Sequence, residues 1–218
     1  VKKFLWENSL SVVLFSLFFI FLVGLSFTGH IHENQEAQQH GQPQTTYSQY
    51  LVSEEFAEAV FENWESEFLQ MGALVMLTVW LVQRGSADSK RLRGKNSVDT
   101  TSRYSIIRGS DWGSRRKAAQ HMLYANSLSL ALFGLFAASF VLHIFSGTAA
   151  ANQEAILHQQ PTMGVVQYVS SSQFWFESFQ NWQSEFLAVG SLLLLSVYLR
   201  QRGSPESKAI GDPNKKTG

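Results

Sequence analysis

Asn63, Trp64 and Glu67 stand together in one short word of this chain, and Asn181, Trp182 and Glu185 repeat them. Two carboxylates drawn together away from water can hold a cation or share a proton, because like charges at close range disfavour double ionisation. On a helix, Asn63, Ser66, Glu67, Gln70 and Ala73 fall on one stripe, and the copy gives Asn181, Ser184, Glu185, Ala188 and Ser191. A lipid-facing glutamate is costly, so Glu67 and Glu185 are expected to point to a bundle interior or a wet cleft. The competing interpretation is a polar packing and capping network, since small and polar residues are what lets helices associate in lipid. Trp64 and Trp182 would then belong to an interfacial aromatic belt and need no ligand.

A second constellation is Glu36 with His40, repeated as Glu154 with His158. Four residues apart, each pair can share one helix face, and carboxylate plus imidazole suits zinc, iron or manganese. With Glu67 and Glu185 the inventory reaches four carboxylates and two histidines, but the spacing is not the Glu-x-x-His of di-metal bundles. His30 and His32 have no counterpart in the second copy, and His143 stands opposite Leu25. None of the three can join a symmetric site, and His143 is expected to bond a neighbouring helix. The chain has no cysteine, which removes thiolate chemistry and Cys-ligated metals. It also lacks a nucleophile elbow, a phosphate loop and a zinc-protease motif, so neither an enzyme nor a cofactor is expected.

The elements that must position these residues come in duplicate. Residues 4–90 align without a gap on 122–208, and 41 of the 87 positions are identical. A repeat of this length is a structural unit. The average composition, 16% charged with no net charge and a mean hydropathy of −0.05, is that of a soluble protein. It conceals residues 9–29 and 127–147, which lack any Asp, Glu, Lys or Arg and are long enough to cross a hydrocarbon core of about 30 Å. The apolar stretches 68–82 and 186–199 cover only about 22 Å as helices, so they span only if their helices begin earlier, near Phe61 and Phe179. A cleavable signal at the start is disfavoured, because the first run exceeds the usual apolar core of about 7 to 15 residues and recurs in mid-chain.

Charge sets the expected topology. All 17 Lys and Arg lie in Lys2 and Lys3, in residues 84–117 or in residues 200–216, whereas 30–67 and 148–185 have none and hold 11 of the 17 acidic residues. Cations are retained on the cytoplasmic side, which places both termini and the linker inside and both acidic loops outside. The expected fold is all-α: an integral membrane four-helix bundle of two parallel duplicated transmembrane hairpins, with amphipathic helical extensions on the external side. The first hairpin is residues 1–90, with spans near 8–29 and 61–83. A basic cytoplasmic linker follows at 91–121, then the second hairpin at 122–208 with spans near 126–147 and 179–201, and a disordered tail at 209–218. Gly85 and Gly203 suit left-handed helix C-caps. The linker word Arg115-Arg116-Lys117 is expected to sit near anionic headgroups, and without a fold motif or interleaved aromatics nucleic acid is not an expected partner.

At 63–71 and 83–90, with second copies ending at 201–208, the phrases NWESEFLQM and QRGSADSK resemble an uncharacterised bacterial membrane-protein family classed only as a domain of unknown function. The resemblance covers roughly residues 2–208. It implies a bacterial inner membrane and four spans, and supplies no activity, cofactor or catalytic residue. Three functions stay open: a structural or interaction protein whose acidic, aromatic external face binds lipid or a protein partner or assembles with itself; a small cation- or proton-coupled transporter using Glu67 and Glu185; and a metal-binding membrane enzyme using the external Glu and His pairs. The cytoplasmic halves of the second spans are apolar apart from Thr78 and Ser196, which weakens a continuous polar path.

Overall fold

The computed structural model describes residues 2–92, 94, 96–99 and 122–217, and among them the only regular structure is helical. The word Arg115-Arg116-Lys117 lies outside the described residues. The helices are α1 (Lys2–Glu7), α2 (Ser9–Gln39), α3 (Tyr47–Tyr50), α4 (Glu54–Trp80), α5 (Ser127–Leu157), α6 (Val165–Val169) and α7 (Ser172–Tyr198), with a 3-10 turn at Ser97–Asp99. Two of them, α2 and α5, are long and apolar enough to cross a membrane. At 31 residues each they reach about 46 Å, well beyond the hydrocarbon thickness. Only 6% and 11% of their most apolar stretches is buried by protein. A surface so apolar and so uncovered is unfavourable in water and suits lipid.

The chain divides into two compact units, Val1–Phe61 with Leu142–Tyr168 and Glu62–Val141 with Val169–Gly218. In the first unit the copied words have a physical role. Asn34 Oδ1 accepts from the Thr45 amide at 2.8 Å while its Nδ2 donates to the Thr45 carbonyl at 3.0 Å. Asn152 makes the same pair of bonds with Met163 at 2.7 and 2.9 Å. Each asparagine therefore pins the returning loop to its own helix. Both helices end in the same Schellman cap: the Gln42 and Gln160 amides reach back to Ala37 and Ala155, both at 2.7 Å. Gly41 takes the left-handed position at φ 68°, and the copy places Gln159 there at φ 55°. Beyond the caps, buried Tyr50 and Tyr168 bring their hydroxyls over Gly29 and Gly147, where a Cβ would collide with them. Ser53 and Ser171 then cap α4 and α7, accepting from the Phe56 and Phe174 amides at 3.2 and 3.3 Å.

The second unit holds the rest of α4, all of α7 and the first half of α5. Helices α4 and α7 stop at Trp80 and Tyr198. Gly85 and Gly203 are left-handed, at φ 88° and 86°, but they lie in turns past the helix ends rather than at C-caps. In each turn a serine closes the loop: Ser89 Oγ accepts from the Gln83 amide and Ser207 Oγ from the Gln201 amide, both at 2.8 Å. Residues 209–217, expected to be disordered, are instead tied down. Arg200 donates to the Asp212 carbonyl at 3.0 Å and to Asn214 Oδ1 at 2.8 Å, and Lys208 Nζ donates to the Asn214 carbonyl at 3.0 Å. The Gly85 amide donates to Thr217 Oγ1 at 2.8 Å. A short polar tail finds order here because Arg200 and Lys208 supply charged donors for its backbone carbonyls.

Candidate functional site

The predicted word is built into α4 and α7, but the stripe that turns inward differs from the expected one. Glu65 is fully buried, Ser66 is 2% exposed and Gln70 6%, while Asn63 and Glu67 are exposed and Trp64 is half-buried. On α7, Asn181, Trp182 and Glu185 are half-buried. The inward positions run 62, 65, 66, 69 and 70, an amphipathic repeat offset by about one residue from the stripe through 63 and 67. The side chains of α7 select that register. Asn181 Nδ2 donates to Glu62 Oε1 at 2.6 Å, and Trp182 Nε1 donates to Glu65 Oε1 at 3.1 Å. Asn181 and Trp182, both candidate binding residues, thus meet the carboxylates of Glu62 and Glu65.

An aromatic wall supports the indole. Phe179, Trp175 and Phe136 lie with ring centres 5.7, 6.4 and 6.5 Å from Trp182, each edge to face, the arrangement favoured by ring quadrupoles. A charge-assisted bond to a carboxylate shielded in this way is stronger than its equivalent in water. The sequence did carry a signal for Glu62 and Glu65. Their counterparts are Gln180 and Gln183, so the first copy keeps the charge where the second keeps only the shape.

In the first unit, Glu58 and His143 place ligand atoms within 4.8 Å of one another. His143 is fully buried, and the Tyr168 hydroxyl donates to Glu58 Oε1 at 3.4 Å. Neither Glu58 nor His143 is duplicated, since Phe176 and Leu25 occupy the matching positions, and a search for symmetric sites passes over them. His30, also unduplicated, contributes to the loop clamp, its Nε2 lying 2.8 Å from the Thr45 carbonyl. The Glu36 and His40 pair and its copy, Glu154 and His158, both lie in the first unit. Glu36 and Glu154 are exposed, while the rings of His40 and His158 meet edge to face with centres 5.9 Å apart.

A carboxylate pair in the first unit, Glu33 on α2 and Glu55 at the start of α4, was missed in the sequence. Glu33 and Glu55 each keep Oε2 away from solvent with no hydrogen-bond donor among the described residues. Burial, and after it the charge of Glu55, push the Glu33 carboxyl above the usual carboxylate range. The folded state therefore holds this proton more tightly than the unfolded chain. Its stabilising contribution is complete below the ordinary glutamate value and is lost as pH rises through the higher folded value. Glu55→Gln is expected to raise the melting temperature in detergent at neutral pH and to flatten the decline between mildly acidic and neutral conditions. A melting profile identical to that of the parent would refute the coupling.

A family model described as a domain of unknown function, DUF6766, matches residues 1–218. No curated protein and no solved structure matches the chain.

Proposed function

The chain belongs to this family of unknown function, and from its own geometry we propose that it is a multi-pass membrane protein that works by binding lipid or a protein partner, or by self-assembly, rather than by catalysis. The bare apolar surfaces of α2 and α5 support a lipid environment. In this reading α4 and α7 complete four spans in a bacterial inner membrane, with both termini on the cytoplasmic side, as the exclusion of Lys and Arg from 30–67 and 148–185 favours. The duplicated hairpins then share one orientation, as parallel repeats do.

The observation that carries the functional reading is the engagement of Glu62 by Asn181 and of Glu65 by Trp182. A carboxylate that serves a helix–helix contact is spent on cohesion, whereas a transport site needs groups that exchange their partners with an ion. The wider helix surface, acidic and aromatic at its external end, remains for lipid or a partner.

Two experiments test this proposal. The absence of cysteine allows single cysteines at Gln42 and Ser97, which are expected to react with impermeant reagents from opposite sides of the membrane; labelling from one side would overturn the four-span topology. Liposomes containing the protein, held under an imposed potential, are expected to pass no more proton or sodium current than empty vesicles. A current abolished by Glu67→Gln with Glu185→Gln would replace this reading with transport.

A further inference from the structure

We propose that the cleft between α4 and the N-terminal end of α5 holds one anionic phospholipid of the cytoplasmic leaflet, with an acyl chain in its depth and the ester region at its mouth. This site rests on the functional reading above, which sets both helices in the membrane. One wall is a stripe of side chains. Met122, Asn126, Ser129, Leu130 and Phe133 recur at helical spacing, and the Asn126 and Leu130 amides donate to the Met122 and Asn126 carbonyls at 3.2 and 2.9 Å. The stripe is therefore continuous. It runs about 16 Å, near half of the roughly 30 Å hydrocarbon core, which is the depth of one leaflet.

Helix α4 supplies the other wall. At Gly72 the two helices touch, since a Cβ there would stand 3.3 Å from the Phe133 ring; this contact closes the deep end. Nothing lies within 4 Å of a Cβ at Gly190, the equivalent glycine, so the closure belongs to Gly72 alone of the pair. One turn further along α4, Met76 faces the stripe across a cavity of about 510 Å³, a size that holds small molecules. The lining is apolar almost throughout, and its polar groups, Asn126 and Ser129, stand toward the Met122 end. That gradient matches a phospholipid. Met76, Leu130 and Phe133 offer apolar surface to a chain, and the Ser129 hydroxyl can donate to an ester carbonyl. A helix from a second copy would instead favour a seam of small residues, whereas Met122, Leu130 and Phe133 are large.

Charge selects the headgroup. The segment that joins the two walls, residues 84–117, holds ten Lys and Arg against three Asp. Lys90 brings one of these cations to the mouth of the cleft, because its Nζ donates to the Val79 carbonyl at 3.0 Å, one turn beyond Met76. Asp99 also pairs with Lys90, but the excess of cations on the segment keeps its charge strongly positive. Each Lys or Arg near the surface strengthens the attraction of an anionic headgroup by about fivefold.

The test is native mass spectrometry of the full chain in a nonionic detergent with phosphatidylglycerol or phosphatidylcholine added. One phosphatidylglycerol per chain is expected to be retained, about fivefold or more tightly than phosphatidylcholine. Leu130→Trp and Met76→Trp place bulk in the cleft, and each is expected to weaken retention of phosphatidylglycerol by about fivefold or more through the clash with its occupant. Leu130 is 52% exposed, which keeps that variant independent of any folding defect at half-buried Met76. Leu128→Trp, exposed and off the stripe, is the control and is expected to stay within about twofold of the parent. Lys90→Gln is expected to narrow the preference between the lipids while leaving phosphatidylcholine retention unchanged, a split that a merely structural lysine would not produce. Equal retention of the two lipids, or cleft variants indistinguishable from Leu128→Trp, would overturn the site; so would a dimer that the cleft variants dissociate, since a second copy would then be the occupant. Labelling at Gln42 and Ser97 separates the two failures. Reaction from opposite sides with no lipid retained sinks the site alone, whereas reaction from one side removes the four-span reading and the site with it.

Discussion

Trp182→Ala is expected to lower the stability of the folded protein by about 3 kcal/mol, the lower part of the range for deleting a large aromatic side chain, since Trp182 is half-buried. Two losses combine in this substitution. One is the edge-to-face packing against Phe136, Trp175 and Phe179, each such contact being worth about 0.5–1.5 kcal/mol. The other is the N–H donated at 3.1 Å to the fully buried carboxylate of Glu65. Trp182→Phe separates them, because it keeps a ring in the aromatic wall and removes only the donor. It is expected to cost about 1–2 kcal/mol, the penalty for taking a donor from a buried acceptor that keeps its other contacts. Glu65→Gln preserves an oxygen acceptor, with a weaker, uncharged bond. In a double-mutant cycle of Trp182→Phe with Glu65→Gln, melting in detergent is expected to reveal a coupling of about 0.5 kcal/mol or more, because residues in direct contact do not add independently. Strict additivity would mean that the indole N–H and the carboxylate do not cooperate, and the proposal that Glu65 serves helix cohesion would fall with it.

What the sequence made legible was local and repeated. The helical class and the apolar cores of α2 and α5 follow from short-range rules that need no partner. The copied word Asn-Gln-Glu-Ala was visible as a repeat, and its meaning is now mechanical: the asparagine clamps the loop and the alanine carbonyl accepts the cap bond. The inward face of α4 was not legible. Residues 62, 63, 65, 66 and 67 are polar almost all round the helix, so amphipathicity alone cannot choose a face, and the choice rests on which carboxylates Asn181 and Trp182 reach. Symmetry found only part of the polar structure at this step. Demanding that a site be duplicated singled out Glu67 and Glu185, whose charges do act on one another, but passed over buried Glu65 and His143 and half-buried Glu58, which occupy positions where the copies diverged. Once two copies lie in one chain, each can specialise; a donor can be kept on one helix and its acceptor on the other. That division is what the Gln183 and Glu65 difference records.

Gly85→Ala and Gly203→Ala place the same chemical change in the same turn of the two copies, and they are expected to have unequal effects. Both glycines are left-handed, at φ 88° and 86°, so each alanine pays about 1–2 kcal/mol for a conformation that L-residues resist. At Gly203 nothing lies within 4 Å of the added Cβ, and that backbone term is the whole expected loss. At Gly85 the Cβ would run into the Asn214 carbonyl and come within 2.9 Å of Val197 Cγ1. A backbone carbonyl cannot swing aside as a flexible side chain can, so about 1–3 kcal/mol of overpacking is added. The Gly85 amide also donates to Thr217 at 2.8 Å, and a shift that relieves the clash strains this bond. Gly85→Ala is therefore expected to cost about 2–5 kcal/mol in total, measured as unfolding in detergent, against about 1–2 kcal/mol for Gly203→Ala. Truncation before Pro213 removes Asn214 and Thr217 together, and in that background the gap between the two variants is expected to narrow to the remaining contact with Val197. If the gap were absent in the full chain, or undiminished after truncation, the tail would not be packed against the first copy's turn, and the ordered arrangement of residues 209–217 would have to be abandoned.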